Sequence, residues 1–465
     1  MSAPFLLFVA SAALALAAAL LRRRLMPAAV VSACGTALIA LFVLRAPIDV
    51  PMSLLGVNLK LGVSWDILGR SFNLDQSTRP AVGFLYLSGA FLFAGAWAVN
   101  PNRYIFPAGV LSLTLVAGSL LIQPFVFAAV FLELAAMAGV LILATTEYPA
   151  QRGGLRLLAL YTLAMMAILL SGWMLSIAGV TTATPNLASQ ISLLLVIGFA
   201  VLMAVPPFHL WLPTAAEETS PFALSFVTVI LQSAGLFFLL RFLDTYAWLR
   251  QSEGLFSGIR IAGAAMVGFG GLAALSQRSF SKFMAYALVA DLGVVLLAVG
   301  AGTPAGYELA LGLSAVRVFG LGVWALGLSV IRAQSGRDDL EVLAGAGYRL
   351  PLASAASIVG VLSIAGLPLT AGFPARWALL SVIAPAHVIE AAAVVFSILI
   401  TSAGAIRWIG VLFRPVPFGS SEPSPRSVQL LQGAGIGLVV LFGVFPQVLF
   451  PWVVLAASGL ANLMS

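Results

Sequence analysis

Charge is what this sequence has least of. Only 8% of its 465 residues are Asp, Glu, Lys or Arg, against roughly 25% in an average soluble domain, so a solvated globular surface is excluded. Lysine is nearly absent, since Lys60 and Lys282 stand among 23 basic residues and the rest are arginines. A single cysteine, Cys34, excludes an intrachain disulfide and a cysteine cluster for zinc or iron–sulfur, and the chain is expected to carry no metal and no cofactor of its own. Cys34 itself reads as a small buried apolar residue. Long polar insertions are lacking too, which leaves no room for an extramembrane catalytic domain. What fills the chain is hydrocarbon, with 61% hydrophobic residues and a mean hydropathy of +1.09. These are the proportions of an all-α polytopic membrane protein with the lipid bilayer as its solvent. The net charge of +7, which in a soluble protein would point to nucleic acid, here reflects loop anchoring, and no nucleic-acid partner is expected. The run from Pro4 to Leu21 has the look of a secretory signal. Arg22, Arg23 and Arg24 follow it rather than precede it, and no A-x-A cleavage site is present, so it reads as a retained first span.

Apolar runs fall near 4–21, 26–45, 81–99, 104–122, 125–145, 155–178, 190–211, 221–243, 259–276, 282–301, 306–331, 350–370, 387–412 and 428–456, which predicts about fourteen transmembrane helices. With the N-terminus outside, the inner loops hold fourteen cationic residues and the outer side seven. That asymmetry predicts a multi-pass protein of the cell inner membrane with both termini on the outer side. Arg317 and Arg376 fit no loop. The polar stretch 46–80 alternates around Val57, Leu59 and Leu61 and predicts a small hairpin on the outer face.

Two of the spans are interrupted by proline. Pro206 and Pro207 lie inside the seventh, and Pro368 inside the twelfth. Proline frees a backbone carbonyl, so such breaks survive in a membrane only where they line a cavity or face protein. Five spans apart, they form the pattern of two inverted five-helix repeats, each with a broken helix. Two unrelated kinks are the alternative. The implied organisation is 1–99 for spans one to three with the outer hairpin, 100–245 for the first repeat, 255–412 for the second, and 413–465 for the C-terminal span. An acid in lipid is a functional candidate by default, because a charge at the bilayer centre costs about 2.5–3.5 kcal/mol on insertion scales. Glu133, in FVFAAVFLELAAMAG, is such an acid.

Three motifs carry a family resemblance: FHLWLPTAAEETSP after the seventh span, SFSKFMAYALVADLG opening the tenth, and AGLPLTAGFPARW in the twelfth. Over roughly residues 50–415 the chain resembles the antiporter-like membrane subunits of respiratory complex I, Mrp antiporters and membrane-bound hydrogenases. The resemblance implies fourteen spans, two inverted five-helix repeats, and a proton path of lysines, a glutamate and histidines along the midplane, in which Glu133 corresponds to the glutamate. Against that pattern the chain departs repeatedly. Leu202 and Gln232 stand where the family has the lysines of spans seven and eight, Asp291 where it has a histidine, and Arg317 and Arg376 where it has titratable residues. Arginine keeps its proton, so it positions and polarises but does not shuttle. Desolvated and with no cation beside it, Glu133 is expected in its neutral form, whereas Asp291 is expected to partner the arginines.

The proton-path candidates are therefore Glu133, His209, Gln232, Asp291, Arg317 and Arg376. His209, beside the break, has two readings, a proton relay or a hydrogen bond to a freed carbonyl. Glu217 and Glu218 read as a solvated helix end or as a proton access point, Lys282 as a snorkelling cation, and His387 as a solvated side chain. No catalytic centre is expected in the chain. The expected function is a membrane-arm subunit in an energy-converting complex of the NADH-quinone oxidoreductase or hydrogenase type, with other membrane subunits as partners. The alternative is a non-pumping scaffold or partner-anchoring subunit, including in carbon-uptake assemblies.

Overall fold

The computed structural model describes residues 2–49, 51–54, 57–99, 102–144, 151–178, 185–415 and 424–464. Its spanning part is entirely helical, and the chain is a multi-pass membrane protein. Among the described residues eleven helices, from Ala3–Leu21 to Arg426–Val444, are long and apolar enough to cross a bilayer, and four shorter apolar helices accompany them: Ile105–Leu121, Ser189–Leu202, Pro351–Ala365 and Gly372–Ile383. In hydrocarbon each backbone must satisfy its own hydrogen bonds, which is what forces these apolar runs into helices. Local chemistry sets where they start and stop. Ser220, Ser252, Ser279 and Thr303 accept from the amides of Ala223, Leu255, Lys282 and Gly306, capping four helices in turn. Gly336 (φ 71°) and Gly366 (φ 82°) end helices Pro304–Ser335 and Pro351–Ala365 in the left-handed region.

Helices differ sharply in how much protein surrounds them. Pro221–Thr245 is 100% buried across its most apolar window, Phe280–Gly300 94% and Pro304–Ser335 83%, whereas Ala3–Leu21 is 28% and Arg426–Val444 22% buried. The first three form the centre, and the others wrap it with one face left to lipid. A helix apolar all round belongs inside such a bundle. Helices Glu253–Ser276 and Phe280–Gly300 pack at backbone contact: a Cβ on Gly293 would lie 2.6 Å from the Gly263 oxygen. Small residues permit that approach where no hydrophobic effect draws helices together.

Several sequence expectations are revised. The segment 371–386, left between spans, folds into helix Gly372–Ile383, because a proline in the first turn costs no intrahelical hydrogen bond. The last span is not one helix. It stops at Val444 and resumes at Phe450–Ala457, with Pro446 and Pro451 at the junction. Cys34 is exposed rather than buried, because a lipid-facing helix surface needs no protein cover. In the stretch 46–80, strands β1 (Pro51–Leu54) and β2 (Val57–Lys60) pair antiparallel, and β3 (Ser64–Ile67), β4 (Arg70–Asn73) and β5 (Ile122–Gln123) form a second small sheet. Next to it Asp75 accepts from the amides and hydroxyls of Ser77 and Thr78. Burial pushes its carboxyl up, but these hydrogen bonds and the charge of Arg241 outweigh burial and hold it below the usual range.

Candidate functional site

Both proline-containing spans are broken. Helix Pro185–Leu202 ends before Ala204, which has φ 52°, and the chain resumes as the short turn Phe208–Leu210 and helix Trp211–Glu218. Helix Pro351–Ala365 ends at Gly366, and after Leu369 (φ 68°) helix Gly372–Ile383 begins. Gly366 is required there twice over. Its φ suits glycine, and a Cβ at that position would collide with Cδ of Arg376. The arginine therefore lies across the end of the first half-helix, where unpaired carbonyls favour a cation.

Around that break the charged candidates gather. Arg376 (2% exposed) pairs through Nη2 with Oδ1 of Asp291, and Arg317 approaches Oδ2 of the same carboxylate with Nε at 3.2 Å. The Arg317 contact is an ion pair without hydrogen-bond alignment, since neither Nε nor Oδ2 has a hydrogen-bond partner among the described residues. Arg317 also donates from Nη2 to Oε1 of Gln232 at 2.5 Å. Four residues from three central helices and one half-helix are thus joined, with a formal charge of +1. Two guanidiniums flank one buried carboxylate, so each charge in the cluster has a partner of opposite sign.

Glu133 lies elsewhere, half-buried on helix Ala128–Leu143. Its Oε1 is 2.5 Å from the Thr162 hydroxyl, which also lies 3.0 Å from the Leu158 carbonyl. The Thr162 hydroxyl donates to Oε1, and its one hydrogen is shared between this carboxyl oxygen and the Leu158 carbonyl. Oε2 has no hydrogen-bond partner and no cation pairs with Glu133 among the described residues. Thr162 escaped the sequence reading. Its signal was a small hydroxyl beside Tyr161 in an otherwise apolar turn of the sixth span.

His209 is 3% exposed, and both ring nitrogens lack a hydrogen-bond partner among the described residues. The freed-carbonyl reading of this histidine is therefore not seen. Its ring instead stands edge-on to Phe269, 4.8 Å between centroids, and near Tyr286 at 6.0 Å. Leu202 is buried at 3% exposure and brings no polar group to the break. Glu217 forms an ion pair with Lys282, which is more than snorkelling, and Glu218 accepts from the amides of Arg152 (3.1 Å) and Gly153 (2.8 Å). Arg332, not singled out by sequence, donates to the carbonyls of Ala216, Glu217 and Thr219 and so closes the C-terminal end of helix Trp211–Glu218. His387 lies 4.0 Å from Glu390, which Arg260 also engages.

Residues 126–401 match the family described as NADH:quinone oxidoreductase/Mrp antiporter, transmembrane. A 208-residue stretch is 33% identical to formate hydrogenlyase subunit 3 of Escherichia coli (strain K12), covering 41% of this chain and 33% of that protein. Another, of 266 residues, is 30% identical to NADH-quinone oxidoreductase subunit N of Rhodopseudomonas palustris (strain BisA53), 55% of each chain. The matches thus span from a third to about half of these relatives' lengths. The fold also superimposes on a chain of the Mrp complex from Dietzia sp. DQ12-45-1b, with a TM-score of 0.82 over 100% of both chains at 17% identity. That likeness is one of fold.

Proposed function

This chain belongs to the NADH:quinone oxidoreductase/Mrp antiporter transmembrane family, and from that premise we propose that it is an antiporter-like subunit of a multi-subunit energy-converting complex, taking part in proton translocation coupled to redox chemistry in other subunits. The observation that carries this reading is the buried cluster of Asp291, Arg317, Arg376 and Gln232 at a helix break. Intramembrane charge is costly and is retained where it works. Because the arginines do not titrate, the cluster acts as a fixed charge, and proton movement falls to Glu133, His209 and the water that reaches them.

The finer architecture belongs to the same proposal. Helix Ile105–Leu121 and the two broken pairs supply three passes beyond the eleven long helices, giving fourteen. Spans four to eight (100–245) and nine to thirteen (255–412) form the inverted repeats, 1–99 and 413–465 flank them, and both termini face outward in the inner membrane. A second reading, a non-pumping scaffold or anchoring subunit, is favoured by one observation: Gln232 hydrogen-bonds Arg317 where a titratable lysine would stand. Redox-driven acidification of inverted native-membrane vesicles separates the two. With Asp291→Asn and Arg376→Gln combined and electron transfer preserved, acidification falls severalfold if the cluster takes part in pumping. Unchanged acidification would leave the scaffold.

A further inference from the structure

At one end of the bundle a cavity of about 1070 Å³ opens among five segments. They are the turn after helix Ala3–Leu21, the turn before Ile105–Leu121, the end of Ala128–Leu143, the start of Pro221–Thr245 and the end of Pro304–Ser335. Arg22, Arg23, Arg103 and Arg332 all line it. Arg332 is occupied by the carbonyls it caps, and Glu218, the acid on the wall, by the amides of Arg152 and Gly153. Arg22, Arg23 and Arg103 are exposed. Arg22 lies 5.7 Å from the ring centre of Tyr104, and no ion pair involves any of the three among the described residues. Three exposed guanidiniums around one opening, with no ion pair among the described residues, repel each other and attract an anion with several acceptor oxygens.

The other walls are mixed, apolar at Leu25, Val99 and Ile142 and polar at Asn102, Ser220 and Ser329. Close to the arginines in sequence, Leu20 and Met26 are 78% and 60% exposed on the outward faces of the first two helices. Exposed cations, hydrogen-bonding side chains and adjoining exposed apolar helix surfaces occur together here. We propose that this cavity binds the phosphate headgroup of an anionic phospholipid, whose acyl chains run down the outer faces of helices Ala3–Leu21 and Leu25–Arg45. The site is separate from the Asp291 cluster and does not depend on the chain's pumping protons.

Native mass spectrometry of the purified full chain with short-chain phosphatidylglycerol or phosphatidylcholine tests it. The wild type should retain phosphatidylglycerol in preference, and Arg22→Gln, Arg23→Gln and Arg103→Gln should each weaken retention about fivefold, while Arg70→Gln should not. Retention should also weaken as salt rises from about 50 to 200 mM, a measurement that needs no variant. Equal retention of phosphatidylcholine, salt-independent binding, or arginine variants with wild-type retention would overturn the proposal. Competition by glycerol phosphate at equal concentration would overturn the lipid source in favour of a soluble phosphate compound.

Discussion

The two halves of the chain each bury an acid, and they treat it in opposite ways. In the first half Glu133 accepts from the Thr162 hydroxyl and meets no cation among the described residues. In the second, Asp291 lies between Arg317 and Arg376. Membrane burial alone therefore does not decide how a carboxyl is held; the partners within reach do. The halves also touch through unlike contacts. Gln232 reaches Arg317 in the buried centre, whereas Glu217 reaches Lys282 at an exposed end.

The contrast breaks most visibly at Asp291. Asp291→Ala strands two buried guanidiniums and should cost about 3–5 kcal/mol, read as a large drop in the melting temperature of the detergent-solubilised protein. Arg376→Ala should cost less, because Arg317 remains beside the carboxylate, and the double substitution should cost less than the sum. Strict additivity would show that these residues do not work as a pair. A smaller effect is expected at Glu133→Gln, which keeps the shape and a hydrogen bond to Thr162. Assembly should be normal and coupling modestly reduced in vesicle assays. Abolished proton transport with normal assembly would make Glu133 an essential shuttle and erase the asymmetry between the halves. Smallest of all is Lys282→Met, where an exposed pair contributes about 0.2–1 kcal/mol and is weakened by salt. A melting-temperature loss as large as that of Arg376→Ala would mean that the exposed contact, and not the buried centre, ties the halves together.

Sequence by itself determined what solvent physics dictates. Hydrocarbon forbids unpaired backbone, so apolar runs had to be helices, and Pro206, Pro207 and Pro368 had to interrupt theirs. Buried charge is expensive, so Glu133, Arg317 and Arg376 stood out by their place in apolar runs, and Asp291 through the family resemblance. Other features depended on neighbours far along the chain. That Asp291 is shared between two arginines, that Arg376 needs Gly366 bare to cross the break, and that Thr162 answers Glu133 are contacts between helices. The extent of helix Gly372–Ile383 was hidden because the apolar run pauses at Pro374, although Arg376 already fitted no loop, and packing gives that arginine its acid. The exposure of Cys34 was illegible for a related reason. In lipid an outward apolar residue and an inward one have nearly the same transfer energy, so hydrophobicity places a residue in the membrane, and only packing decides which way it faces.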